Sequence, residues 1–507
     1  MAPDPSVNPA VNLASLFRGL DPQYLGCGPD TRVSGLETDS RCVKPGQVFV
    51  AIAGATVDGH RFVDEALRGN AAVAVVQRGR FPDLAGPHVR LADTSAALPY
   101  LAARAYGEAA SQLILGGLTG TNGKTTVAFL VGSILRAAGV GHIRLGSTGH
   151  WIVDTEVPAA YTTPFPAQLH RLLRRGVASG GTHGVMEVSS HALDQGRIEG
   201  LNYAGVALTS FSQDHLDYHG TLRAYLAAKC RLPAAHLRPG GWVIASTQAG
   251  EYGAAFLEAG RRAGGRPCLV STEVGAKAEI RVKNRVQTAA GTELCVEAPG
   301  GMLSISSPLV GGFNVENLMV AVAMGLSLGI DLDRIHRGLS GARGAPGRME
   351  RVCVEGIVGP TVLVDYAHTP DAVRRVIQAV RPMTSGRLIV VLGCGGDRDR
   401  AKRATMGEIA STLADRLVAT SDNPRSEDPD RILDEMLSSV PVGAVTREVD
   451  RRLAIRLAIG GARPGDTVIV AGKGHETYQL VGASKLEFDD RAEARAALRC
   501  GHASRPV

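Results

Sequence analysis

Apolar residues in this chain come in short runs separated by helix-like stretches, and the spacing of the runs divides it into three parts. Residues 33–54 and 71–76 read as short strands and turns, with one helical stretch over 61–69 between them, a compact α/β unit. From 112 to about 340, strand-like runs at 112–119, 184–188, 205–209 and 241–245 alternate with helical segments. That alternation predicts a mostly parallel sheet with helices on its faces. The segment 340–348, SGARGAPGR, is rich in glycine and arginine and reads as a hinge. Beyond it a second alternation begins, with strands at 361–365, 387–392, 415–419 and 467–471 and helices starting near Pro370 and Arg400. The expected fold is α/β in three domains, 1–110, 111–342 and 343–507, the last of them Rossmann-like and doubly wound. A length of 507 residues, too long for one hydrophobic core, agrees with this division.

One junction in the pattern carries chemistry. The apolar run at 112–119 ends in Gly120, Thr121, Asn122, Gly123, Lys124, Thr125 and Thr126, and a helix-like segment follows. Glycines let successive N–H groups turn toward phosphate oxygens, the helix presents its positive end, and Lys124 adds a point charge. Thr125 is then placed to ligate magnesium. Leu118 stands where the general G-x-x-x-x-G-K-[ST] loop has its first glycine, and the shorter form G-T-N-G-K-T-T fits better. A glycine-rich turn capping an ordinary helix is the plainer account, and it leaves both the strand before and the GKTT after as coincidence. The central domain is accordingly expected to be a P-loop ATPase.

Composition narrows the ligand class. Lys plus Arg number 55 against 49 Asp plus Glu, a net charge of +6 spread along the chain, which favours small anionic ligands over nucleic acid. Eight scattered cysteines, with no C-x-x-C pair and no zinc-like spacing, read as reduced thiols of a cytoplasmic protein. The polar start, MAPDPSVNPA, does not read as a signal peptide, and no apolar run approaches membrane length. A cytosolic monomer with no membrane insertion is expected.

Polar clusters follow several of the strands. Glu187 and His191 lie in MEVSSHAL, and Asp214, His215, Asp217 and His219 precede Lys229. Each could serve a cation or a phosphate, and each alone also reads as a solvated loop. Beyond the hinge come Asp365-Tyr-Ala-His-Thr-Pro370, Gly393-Cys-Gly-Gly-Asp-Arg-Asp399, Asp422-Asn-Pro-Arg425 and Gly472-Lys-Gly-His-Glu476. Arg398, Arg425 and Glu476 together suit a ligand with both a carboxylate and an ammonium, and an amino acid is the natural candidate.

In this order GTNGKTT, MEVSSHAL, DHLDYHG with Lys229, FNVEN, GRME, VDYAHTPD, GCGGDRD, DNPR and AGKGHE resemble the motifs of the Mur ligases, over about 33–495. The resemblance implies a uridine-nucleotide domain, a central ATPase and an amino-acid domain, acting in peptidoglycan precursor synthesis. It implies an amide ligase: ATP phosphorylates a carboxylate, and an amine displaces phosphate from the acyl phosphate. It implies magnesium, with Thr125, Glu187 and His215 as ligands, and Lys229 as a carbamate (N6-carboxylysine) holding a second ion; by sequence alone Lys229 reads as a surface lysine.

Asn314, Asn317, Arg348 and Asp365 resemble residues completing the ATP site. Asp39, Ser40, Arg41, the loop from Thr56 to Gly59, Thr162, Thr163, Ser190 and Arg197 match the uridine-substrate side. Asp422-Asn-Pro-Arg425 matches the diaminopimelate-adding pattern, in which Arg425 pairs with the far carboxylate. Arg398, Asn423, Gly472 and Glu476 would complete that pocket, Glu476 holding the far ammonium. The expected substrates are ATP, a uridine-linked muramoyl dipeptide and meso-diaminopimelate. The chain departs from the pattern at Ala245-Ser-Thr-Gln248, where relatives carry Asn-x-Asp-Asp, and at Ala404, where a proline is usual; the first bears on nucleotide affinity or choice.

Overall fold

The computed structural model describes residues 10–503 apart from 55–56, 81–83, 289–290, 442 and 444. Three principal sheets organise it. Near the N-terminus the strands Gln23–Leu25, His88–Leu91, Val73–Gln77, Val48–Val50 and Leu36–Glu37 form a five-stranded sheet in that spatial order. Val48, Val50, Val73 and Val75 bury their side chains under the helix Thr94–Ala105, and Phe49, Ala74 and Val76 pack on the opposite face against Val63–Arg68. Continuous β-branched runs of this kind suit strands covered on both sides.

The central sheet has eleven strands and is built around Ile114–Thr119, which lies between His183–Glu187 and Tyr203–Leu208, both parallel to it. Parallel pairing runs on from His142–Gly146 at one side to Ile280–Thr288 at the other. The helix Gly312–Ser327 covers one face, its residues from Val315 to Met324 nearly all fully buried, together with Lys124–Ala137. The opposite face packs on Pro166–Ala178 and Leu222–Ala235. Two antiparallel extensions differ from the sequence reading: Gly149–Ile152 with Thr155–Val157 at one edge, and Gly291–Ala298 with Gly301–Ser307 at the other. The strands of the second extension alternate buried with more exposed positions, and those of the first are short with an exposed outer strand, so neither carries the long apolar run that marks the buried strands.

The third sheet has the order Glu350–Val352, Thr361–Asp365, Thr467–Ala471, Leu388–Leu392, Arg416–Ala419, Val445–Arg447, parallel except at its first strand. The expected hinge leads into it, with Gly341, Gly344 and Gly347 at φ +75°, +73° and +63°. Gly347 must be glycine for a second reason: a Cβ there would overlap the backbone of Gly474 and His475.

A buried ion pair fixes this sheet's loops. Arg451 and Asp490 are both fully buried and meet at 2.7 Å in a two-pronged contact. The same guanidinium donates to the carbonyls of Ser421, at 3.2 Å, and Ala471, at 2.9 Å. It thereby ties together the ends of two strands, just before Asp422 and Gly472. Replacing Arg451 by methionine is expected to cost about 3–5 kcal/mol in urea unfolding, because Asp490 is left charged and unpaired; Arg451→Met with Asp490→Leu should recover most of that loss. Equal losses in the single and double variants would contradict the role of the pair.

Candidate active site

The loop after Ile114–Thr119 takes the shape its sequence predicts. Gly120 and Gly123 have φ of +148° and +87°, and a Cβ on Gly123 would stand 2.5 Å from Asn317 Oδ1. The helix Lys124–Ala137 starts directly behind, its first N–H groups aimed into the loop. Lys124 Nζ folds back to donate to the carbonyls of Gly120 at 2.7 Å and Thr121 at 3.2 Å.

Lys229 reaches the same carbonyl. Its Nζ donates to Gly120 O at 3.0 Å and lies 4.5 Å from the Tyr225 ring centre, and the residue is 1% exposed. The surface lysine of the sequence reading is thus corrected: the helix Leu222–Ala235 turns Tyr225, Ala228, Lys229 and Leu232 inward along one stripe. Burial holds the Lys229 ammonium well below its ordinary pKa, with the Lys124 charge adding to the effect and Asp214 opposing it. Burial also lowers Lys124, against the pull of Glu187.

Glu187, 1% exposed, accepts from Thr125 Oγ1 at 3.0 Å through Oε2 and from the Ser147 N–H at 3.1 Å through Oε1. Its own carbonyl accepts from Thr163 Oγ1 at 2.9 Å, so strand, loop and Thr163 are locked together. His215 sits at φ +53°, and its ring stands 4.8 Å from that of His191, which also meets His219 at 5.5 Å. Two clusters that are separate in sequence therefore meet through His191. His219 Nε2 lies 3.0 Å from Ser190 Oγ. Arg197 donates to Thr163 O at 3.0 Å and stacks over Phe165. Among the described residues no three His, Cys, Asp or Glu side chains converge as a metal set. The fit to magnesium is instead one of hydroxyl and carboxylate oxygens: Thr125 Oγ1 and Glu187 Oε2 are 3.0 Å apart, close to the spacing of about 2.9 Å for adjacent oxygens on an octahedral magnesium ion.

The cavity of about 1010 Å³ that opens on this loop is walled by Thr125, Thr162 and His215 on the central side and by Arg348, Tyr366 and Glu476 from beyond the hinge. Asn317 Nδ2 donates to Asn314 Oδ1 at 3.0 Å on the helix that forms one wall. Asp365 and Arg348 do not form a direct ion pair. Asp365 accepts from the N–H groups of Met349 and Ala367, both at 2.8 Å, while Arg348 lies over the Tyr366 ring at 4.5 Å. Burial raises the Asp365 carboxyl above its ordinary pKa, against the nearby Arg348 charge and these two N–H groups. Tyr366 also meets His475, ring centres 5.1 Å apart, and burial pushes His475 down to about 4. Ser212 Oγ donates to Asp371 Oδ2 at 3.1 Å, joining the central unit to the last.

Of the expected amino-acid pocket, Glu476 lines this cavity, while Arg398, Asp422, Asn423, Arg425 and Gly472 are not among its walls. Arg425, at φ +52°, donates to Gly396 O at 2.7 Å, and a Cβ on Gly395 would touch both Arg425 and Arg398. The arginines converge on one glycine loop. Asn423 donates to Glu476 Oε2 at 2.9 Å. Ser40 and Arg41 lie in the N-terminal unit, in a short helical turn capped by Asp39, away from the cavity walls. Thr56 falls outside the described residues. At the departure Ala245-Ser-Thr-Gln248, Ser246 accepts from the Gln248 N–H at 3.1 Å and hydrogen-bonds the Glu316 carboxyl, which lines the cavity. Polar contact is thus retained there by Ser246. Sequence reading missed Ser147, Tyr366, Arg451 and Lys473; the last lies inside the quoted motif AGKGHE, the first in no motif.

All eight cysteines are free thiols, and no described helix is long and apolar enough to cross a membrane. Family models match residues 32–106 (Mur ligase family, catalytic domain), 118–325 (Mur ligase middle domain) and 347–474 (Mur ligase, glutamate ligase domain). The chain is 43% identical to a UDP-N-acetylmuramoyl-L-alanyl-D-glutamate–2,6-diaminopimelate ligase of Gloeobacter violaceus, covering 97% of this chain and 98% of that one. The protein of the same name from Synechococcus elongatus is also 43% identical, over 96% of this chain and 99% of its own length. A solved structure carrying this enzyme name superposes with a TM-score of 0.70 at 30% identity, covering 97% of this chain and 100% of that one. With its phosphate loop, paired buried lysines and near full-length likeness to these ligases, the chain belongs to the Mur ligase family.

Proposed function

We propose that the protein is an ATP-dependent amide ligase that adds meso-diaminopimelate to UDP-N-acetylmuramoyl-L-alanyl-D-glutamate, a step of peptidoglycan precursor synthesis. The observation that carries the reading is the convergence of Lys229 and Lys124 on the Gly120 carbonyl, Lys124 lining the same cavity as Glu476. The two relatives above bear this activity in their names.

Residues Gly120 to Thr126 wrap the phosphates of ATP, Lys124 neutralises the γ-phosphate, and Asn314, Asn317, Arg348 and Asp365 complete the nucleotide site. Thr125, Glu187 and His215 would hold a magnesium ion, which when bound would supply charge neutralisation. Ser40, Thr56, Thr162, Thr163, Ser190 and Arg197 hold the uridine-linked substrate. Its free carboxylate attacks the γ-phosphorus and ADP leaves. The diaminopimelate amine then attacks the acyl carbon, phosphate leaves, and the amine loses a proton. Arg398, Asp422, Asn423, Arg425, Gly472 and Glu476 orient that amino acid. Orientation of this kind supplies most of what such a reaction needs. The three units, 1–110, 111–342 and 343–507, divide these tasks in a cytosolic monomer.

Lys229 has a distinct part. Its depressed pKa favours the neutral amine, the form that attacks carbon dioxide; an N–C bond forms, the nitrogen loses one proton, and a carbamate anion stands beside Lys124. The carbamate can hold a second magnesium.

Phosphate release from ATP with the dipeptide nucleotide should require diaminopimelate and yield the tripeptide nucleotide by mass spectrometry. A phosphorylated product without phosphate release would instead indicate a kinase. Arg425→Ala is expected to raise the KM for diaminopimelate by about one to two orders of magnitude and leave that for ATP nearly unchanged; equal constants in variant and parent would remove Arg425 from the pocket. Lys229→Ala should abolish turnover, and a short carboxylate in the buffer should restore part of it. Failure of every small acid to rescue would count against the carbamate.

A further inference from the structure

Lys473 is fully buried and does not line the cavity, whereas Glu476, which it contacts, does. Its Nζ donates to Asn423 Oδ1 at 3.0 Å and to Glu476 Oε2 at 3.1 Å, and lies 3.8 Å from Asp422 Oδ1. Asn423 closes the ring by donating to the same Glu476 oxygen at 2.9 Å, and its Oδ1 also accepts from the Leu480 N–H at 2.9 Å. The main chain of Asp422 is held in turn by Gln479 Nε2 at 2.7 Å. One oxygen of Glu476 is therefore spent on protein donors, and only the other is left for a ligand.

We infer that Lys473 is a positioning and specificity-determining residue of the amino-acid pocket: it aims Glu476 and Asn423 and cancels one of the two negative charges of Asp422 and Glu476. The inference rests on the reading of this pocket as the amino-acid site. With Lys473, Arg398 and Arg425 set against Asp422 and Glu476, the fixed charges leave one positive charge in excess. Such a site accommodates a far end bearing a carboxylate beside its ammonium. Without the Lys473 charge the excess is lost, which weakens the hold on a carboxylate relative to an ammonium alone. An uncompensated pair of largely buried carboxylates would also lose its fixed geometry.

The test compares the parent with Lys473→Met, which fills the space, and Lys473→Gln, which keeps a donor for Asn423 but no charge. Initial rates are measured with diaminopimelate and with L-lysine, alongside the KM for ATP and the thermal unfolding midpoint. In both variants the KM for diaminopimelate should rise about tenfold or more with the KM for ATP within about twofold, and the ratio of kcat/KM for diaminopimelate over lysine should fall about tenfold. If one variant fails to fold, the other decides. An unchanged ratio, or KM values for ATP and amino acid that rise in step, would overturn the inference and leave Lys473 a structural residue. Absence of turnover with any diamino acid in the parent would instead sink the substrate reading itself.

Discussion

Two lysine side chains share one carbonyl oxygen in this molecule, that of Gly120, and the site is arranged around that fact. A buried ammonium is costly unless it is paired, and two of them within reach of one Gly120 carbonyl would repel each other, so the Lys229 amine is pushed toward its neutral form beside the Lys124 charge. Asp214 and Glu187 offset part of this, which leaves the site electropositive and in want of anions. The triphosphate of ATP supplies one such anion in the proposed reaction, and conversion of Lys229 to a carbamate supplies another. The fold follows from this demand: a glycine loop that exposes the carbonyl, a strand on each side that brings Glu187 and Thr209 into place, and a helix that turns Lys229 inward.

The second constraint is the meeting of the central and last units. Gly347 lies against Gly474 with no room for a methyl group, and Arg348, Tyr366 and His475 stack from the hinge toward the amino-acid loop. Ser212 and Asp371 join the two units directly. Arg348 and His475, the residue before Glu476, are thus two steps apart through one tyrosine ring. That connection gives a physical route by which the hinge places both halves of the site together.

Much of this was legible from sequence because phosphate chemistry needs neighbouring residues: Gly120 to Thr126 must be contiguous for their N–H groups to converge. The strands that end in Glu187, Asp365, Asp422 and Gly472 were legible because both of their faces are buried, which leaves unbroken apolar runs. The edge ribbons at 149–157 and 291–307 carried no such run. Burial of a charged side chain leaves no mark on its neighbours in sequence, so Lys229 read as a surface residue and Lys473 and Arg451 did not stand out. Their roles come from partners far along the chain, such as Asn423 for Lys473 and Asp490 for Arg451.

The charge state of Lys229 is the point on which the account turns. Enzyme equilibrated with ¹³C-labelled carbon dioxide and observed by ¹³C NMR should show a single carbamate resonance that is absent from Lys229→Ala. The signal should fade as pH falls through the depressed pKa of the amine, because the protonated form cannot react. An active enzyme with no carbamate resonance at any pH would show that Lys229 works as an ammonium, and the central claim would fall.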